Sequence, residues 1–183
     1  CRGDDLTDED TVATCCKHFA AYGMVQAGRE YAPVDVSHME LYDTYFPPFK
    51  AALDAGCDMI MPAFTPIDRV PAIANRWMIQ DVLRDQWQWQ GVVISDWGSA
   101  GELIPHGMAD DLAEAAKLTF DAGMDMDMMS GAYLTSLTQL VKEGRIDPAL
   151  LDAAVLRLLR LKNALGLFEK PCKCDSLSHQ EQV

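Results

Sequence analysis

GVVISDW, residues 91–97, sets the apolar run Val92-Val93-Ile94 directly against the polar-tipped trio Ser95-Asp96-Trp97. A run this short and this apolar, with no alternation of polar residues, reads as a strand buried on both faces. A carboxylate at the tip of such a strand is a turn former, a helix cap or a nucleophile. Working outward, three more segments share the character: residues 12–19, 58–64 and 124–129, alongside 92–96 itself. Helical patterns lie between and after them. Ser37 and Glu40 have capping-box spacing before MELYDTYF, and Pro47-Pro48 is expected to interrupt that helix before FKAALDAG resumes it. Asn75 can cap RWMIQDVLRDQW, and residues 109–122 form a helix stopped by Gly123. Residues 132–143 form another, stopped by Gly144. Asp147-Pro148 opens a last helix in which Leu151, Val155, Leu158, Leu159 and Leu165 are spaced to cover one face. Apolar strands alternating with helices indicate a parallel sheet, in a doubly wound α/β fold or a (β/α) barrel. A full barrel takes about 250 residues. This chain has 183, short for the barrel and adequate for a small sheet.

Composition narrows the function classes. With 15 Lys+Arg against 28 Asp+Glu the net charge is −13, which disfavours nucleic acid and anionic membranes as partners. No apolar run approaches the roughly 18 residues of a spanning helix. The polar opening CRGDDLTDED is not a signal peptide, and a start at Cys1 instead of Met reads as a processed or excised piece. Of the six cysteines, Cys15, Cys16 and Cys57 sit in apolar runs and read as structural thiols; Cys172-Lys173-Cys174 lacks zinc-site spacing. The four histidines never fall at metal-ligand spacing, so no metal site is expected.

In parallel α/β folds reactive groups gather where strands end. Here those ends carry Lys17-His18, then Met61, Phe64 and Thr65, then Asp96-Trp97, then Asp125 and Asp127. Cations, an anion and aromatics at one rim suit a sugar, whose hydroxyls take charged partners and whose ring face takes an indole. Taken singly, Lys17-His18 reads as a solvated loop start, Asp96 as a turn or cap. Of Asp125 and Asp127, one is expected to face the helices.

Several stretches together carry a resemblance: CCKHFAAYG (15–23), GREY (28–31), YFPPFKAALDAGCDMIMPAF (45–64), LRDQWQWQGVVISDW (83–97) and AGMDMDM (122–128). In order and spacing, across about Ala13 to Pro171, they resemble the barrel domain of glycoside hydrolase family 3, the β-glucosidase-like enzymes. The resemblance implies a partial TIM-type (β/α) barrel of about four parallel strands with covering helices. Residues 1–170 would form the C-terminal half of that barrel, and 171–183 a polar, flexible tail. It implies a retaining hydrolase of terminal β-D-glucosyl residues that needs no cofactor. Asp96, the Asp of the SDW motif, would be the catalytic nucleophile. Lys17 and His18 would bind glycosyl hydroxyls, with Lys17 also helping to hold Asp96 ionised. Trp97 would wall the pocket, Met61 would approach the substrate, and Arg29 matches the family's GR-D/E-Y loop.

The departures matter too. The family's earlier strands, which supply a sugar-gripping Asp and Arg, have no counterpart here, and its acid/base Glu comes from a following domain. Glu30, Glu102 and Glu40 are the replacements to weigh. Many members have Asn where this chain has Thr65. Nothing separates gluco- from xylo-configured substrates. A half barrel leaves sheet edges open, so association with a second copy or with missing segments of the parent enzyme is expected. A non-catalytic glycan-binding fragment and a transglycosylase are the competing readings. Many relatives are secreted or periplasmic, which leaves the localisation of this chain open.

Overall fold

The computed structural model describes residues 2–171. Of the tail expected at 171–183, all but Pro171 lies outside the described residues. Strands β1 (Cys15–Phe19), β2 (Met59–Pro62) and β5 (Val92–Val93) pair in parallel in that order. Cys15 lies opposite Met59, Lys17 opposite Met61, and Met59 opposite Val92. The register shifts between Lys17 and Phe19, which faces Pro62. The expected fourth strand joins by a single parallel bridge, Ile94 to Met126. Its ladder is irregular for a visible reason: the Val93 N–H donates to the Asp125 carboxylate (2.9 Å), and the Val93 carbonyl accepts from both Asp125 N and Met126 N.

Three helices start where the capping residues read from the sequence, Ser37, Asn75 and Asp147, foretell. The Ser37 hydroxyl accepts from Glu40 N at the head of α1 (His38–Glu40), though that helix runs on at once into a wider turn. Through Leu41–Tyr45 the chain winds with i to i−5 bonds, Phe46 N donating to Leu41 O, and then enters α2 (Phe46–Asp54). Pro47-Pro48 therefore does not interrupt the helix as expected. The pair opens α2, where missing N–H groups cost least. An unexpected two-stranded hairpin follows β2, formed by β3 (Pro66–Ile67) and β4 (Val70–Pro71). Its two turn residues, Asp68 and Arg69, both have positive φ, 53° and 66°, the backbone of a two-residue hairpin loop.

Asn75 accepts from Met78 N and heads α3 (Trp77–Gln86), another wide-wound helix. Asp111 caps α4 (Leu112–Asp121) through Glu114 N at 2.8 Å, α5 spans Ala132–Lys142, and Asp147 caps α6 (Pro148–Ala164) through Ala149 N. Helix α6 corrects one expectation. Its packing face runs through Leu151, Ala154, Leu158 and Leu165, while Val155 and Leu159 are 43% and 42% exposed. Arg157 accounts for the rotation, because it turns inward to reach Asp125.

The core lies between the sheet and these helices: Phe19, Ile60, Val93 and Met124 meet Phe46, Ile79, Leu83, Phe120 and Leu140. Phe19 stacks on Phe46 at 5.3 Å between ring centroids and meets Phe49 edge-on at 5.1 Å. Inside this layer Asp125 has no exposed side-chain surface, and it is held by Arg84 (2.8 Å) and Arg157 (2.7 Å). It is the helix-facing member of the Asp125/Asp127 pair. Burial pulls the Arg84 guanidinium down to about 10 against the opposing pull of Asp125, so it stays charged near neutrality. Among the described residues no helix is long and apolar enough to cross a membrane, and no cluster of metal-ligating side chains forms.

Candidate active site

Asp96 sits one turn beyond β5. Its carbonyl accepts from Ser99 N (3.2 Å), closing a β-turn whose third residue, Gly98, has φ 69°, backbone space that favours glycine. Neighbouring hydroxyls and carbonyls tie this turn down. Ser95 Oγ donates to Asp96 O and accepts from Met128 N, and Gly98 N donates to Met128 O at 2.7 Å. The turn that carries Asp96 is thus tied to the Met128 segment, and 15% of the Asp96 side chain stays open. Its Oδ1 accepts from Trp97 N (2.6 Å), and its Oδ2 lies 3.2 Å from His18 Nε2. Asp96 is a turn former and also a partly open carboxylate at a strand end.

His18 comes from β1, two strands away. Desolvation and then the Lys17 charge hold its pKa below the usual 6.5, outweighing the opposite pulls of Asp96 and Glu30. Near pH 7 the imidazole is therefore neutral, and its contact with Asp96 is that of a neutral ring. Its ring meets Tyr22 edge-on at 5.0 Å. Lys17 is exposed, beside Met61 across the β1–β2 pairing, and both Lys17 and Asp96 lie within electrostatic reach of Cys15 and His18. Met61 is 7% exposed, so little of it is open to a ligand. Trp97 gives its N–H to Asp96, but its indole is 63% exposed. Arg29 is exposed, and among the described residues it forms no ion pair. The structure thus brings together Asp96, His18, Lys17, Met61 and the backbone of Trp97, and leaves Arg29 at the margin.

Two tyrosine–glutamate pairs complete the rim; the sequence offered Glu30 and Glu102 as candidate acids but pointed to neither tyrosine. Tyr22 Oη donates to Glu30, and Tyr31 Oη donates to Glu102 (3.0 Å). Desolvation, Glu102, Glu30 and Asp96, in that order, raise the Tyr31 pKa above its usual value. That places two carboxyls, Glu30 and Glu102, in the same electrostatic neighbourhood as Asp96. Glu40 is elsewhere, exposed on α1. Phe64 joins the two tyrosines, 6.4 Å from Tyr22 and 5.3 Å from Tyr31. Tyr31, Glu102, Pro105 and His106 line a shallow hollow there. The available signal was AAYG and GREY, which hold these residues but fix no spacing to a loop 71 residues on. Thr65 is fully buried, and its hydroxyl has no hydrogen-bond partner among the described residues.

Known proteins match this chain over most of its length. A family model described as glycosyl hydrolase family 3 N terminal domain matches residues 4–161. The periplasmic beta-glucosidase of Salmonella typhimurium is 42% identical over 170 residues, 93% of this chain and 22% of that protein. A beta-xylosidase of Formosa agariphila is 36% identical over 184 residues, 95% of this chain and 25% of that protein. Among solved structures, a mutant beta-glucosidase from Listeria innocua in complex with laminaribiose superposes with TM-score 0.93 and 45% identity, covering 96% of this chain and 25% of that one. The same enzyme in complex with glucose gives 0.92 and 43%. The chain spans about a quarter of the length of these relatives.

Proposed function

The chain belongs to glycosyl hydrolase family 3, and from that premise we propose that it carries the nucleophile side of a retaining β-glycosidase site, acting on terminal β-D-glucosyl residues. The observation that carries this reading is the placement of Asp96: backbone-clamped at a strand end, partly open, with neutral His18 against one oxygen. In the first step Asp96 Oδ2 attacks the anomeric carbon as the aglycone oxygen leaves, and water later releases the glycosyl unit with net retention. His18 and Lys17 hold sugar hydroxyls, Trp97 offers its open indole to the ring face, and Met61 and Arg29 flank the pocket. A second carboxyl has to protonate the leaving oxygen, typically about 5–5.5 Å from the nucleophile. Glu30 and Glu102 stand on the right rim, each held by a tyrosine, but in the relatives' longer chains another segment can fill that role. Activated aryl glucosides depend least on the acid, so they are the substrates on which this chain shows turnover.

Residues 1–170 act in this reading as the C-terminal half of a barrel. The edge strand β1 has exposed Cys15 and Lys17, and pairing of that edge with a second copy or with preceding segments completes the sheet. A monodisperse monomer at high concentration in a sedimentation experiment would count against pairing with a copy.

The test of the nucleophile is chemical rescue. Asp96→Gly with an activated aryl β-glucoside is expected to be inactive until azide is added, and then to yield the α-glucosyl azide. A β-azide product, or undiminished activity without azide, would overturn the role. Product analysis with an added alcohol separates hydrolysis from transglycosylation. Sugar binding by Asp96→Asn, with no turnover by the native chain on any activated glucoside, would favour the non-catalytic reading.

A further inference from the structure

Two cysteines far apart in sequence meet in the fold, and neither belongs to the site at Asp96. Cys16 sits in β1, and Cys57 sits in the turn that leads from α2 into β2. Their sulfurs are 2.9 Å apart although the residues are 41 positions apart. Two unbonded thiols ordinarily rest farther apart than this, and the gap lies within about 1 Å of a disulfide bond of roughly 2.05 Å. Both are free thiols in this structure, as is neighbouring Cys15, which is exposed.

The surrounding backbone holds the two thiols in place. Gly56, with φ 96°, turns the end of α2, and Cys57 N donates to Ala52 O. The single Cys57 S–H lies within reach of two carbonyls, Thr14 O (3.4 Å) just before β1 and Met59 O (3.3 Å) at the start of β2. Next to it, Asp58 accepts from Thr14 N (2.8 Å) and from Arg2 Nε (3.2 Å), which fixes the start of β1 against the start of β2. The chain therefore presents Cys16 to Cys57 with most of the ordering already done.

We propose that Cys16 and Cys57 are a redox-active pair that closes to an intramolecular disulfide by exchange with a small-molecule or protein disulfide. One thiolate of the pair attacks a sulfur of the external disulfide and expels one thiolate from it. The second cysteine then attacks the resulting mixed disulfide and expels the other. The two protons lost by the cysteines go to the two expelled thiolates, so two protein thiols are oxidised as one external disulfide is reduced to two thiols. Closure locks β1, which carries Lys17 and His18, to the turn that feeds β2. Burial first, and then contact with Cys57, pushes the Cys16 thiol up to about 12, and burial pushes Cys15 up to about 11. Little Cys16 thiolate exists near neutrality, and its fraction grows as pH rises, so closure accelerates with pH.

The test uses the full chain, fully reduced and then equilibrated with oxidised and reduced glutathione, alkylated, digested and mapped by tandem mass spectrometry. The expected result is a Cys16–Cys57 link that persists in Cys15→Ser and is lost in Cys57→Ser. Its rate at pH 9 should exceed that at pH 7 by roughly tenfold or more, and the oxidised chain should melt roughly 8–16 °C higher than the reduced one. Free, alkylatable Cys16 and Cys57 at equilibrium would overturn the proposal. So would a stable glutathione adduct on either, or a link that uses Cys15 in the native chain. If a serine variant fails to fold, mapping of the native chain alone decides.

Discussion

Asp125→Asn is expected to be the most damaging isosteric change in this chain. Four donors converge on the Asp125 carboxylate: Arg84 Nη2 (2.8 Å) and Val93 N (2.9 Å) on Oδ2, and Arg157 Nε (2.8 Å) and Nη2 (2.7 Å) on Oδ1. An asparagine of the same shape must turn its NH2 toward one of these donor pairs, and it leaves two guanidiniums without a counter-charge. Arg84 has only 6% of its side chain exposed and Arg157 17%, so water cannot make up the loss. Breaking a buried ion pair from one side costs about 3–5 kcal/mol. For a domain of this size that is roughly 6–20 °C in melting temperature. Urea unfolding followed by circular dichroism reads the free energy, with Arg157→Met as the milder comparison because that side chain is less buried. A loss under about 1 kcal/mol for Asp125→Asn would refute the view that this network joins β5, the Met126 segment, α3 and α6. Asp125→Leu combined with both Arg84→Met and Arg157→Met should recover part of the loss, since no charge of the network is then left unpaired.

Lys17→Met removes the neighbouring charge that depresses His18, so an NMR titration should show the His18 pKa rising toward 6.5; an unchanged value would place Lys17 elsewhere. The sign for stability follows: a histidine held neutral costs the fold as pH drops below 6.5, because the unfolded chain takes up the proton first. That acid-side loss should shrink in Lys17→Met. Gly91→Ala places a methyl 2.5 Å from the Asp58 carbonyl, which already accepts from Val92 N, and 2.2 Å from the Trp89 ring. It should cost at least about 1–3 kcal/mol by urea unfolding, and a neutral effect would contradict the β2–β5 register. Trp97→Ala should shift unfolding by no more than about 0.5 kcal/mol, given its exposure, while weakening the KM for aryl glucosides. The opposite pattern would mean that the indole is structural.

Much of the fold was legible because its signals are local. Asn75 and Asp147 each cap a helix through an N–H two or three residues on, and the apolar runs read at 12–19, 58–64 and 92–96 supply the shorter paired strands at 15–19, 59–62 and 92–93. The misses all depend on distant partners or on winding that no short motif specifies. Pro47-Pro48 looked like a break because the wide turn before it is set by packing of Leu41 and Phe46, both buried. The fourth strand looked complete because nothing in AGMDMDM reveals that Asp125 takes a backbone N–H of β5 from 32 residues away. Val155 and Leu159 looked buried because the inward turn of Arg157 toward Asp125 is not a periodicity signal. At the candidate site, Asp96 and His18 were each singled out by a strand-end position and a motif. Their 3.2 Å contact, and the tyrosine–glutamate pairs beside them, exist only once β1 and the loops after β1 and β5 are placed side by side.

The central claim, that Asp96 is a nucleophile, is tested most directly by incubating the chain with an activated 2-deoxy-2-fluoro-β-glucoside and measuring its intact mass. The account predicts one fluoroglucosyl increment, mapped to the peptide that contains Asp96 and absent from Asp96→Ala. Labelling of another carboxylate, equal labelling of the variant, or no labelling of the native chain would contradict it.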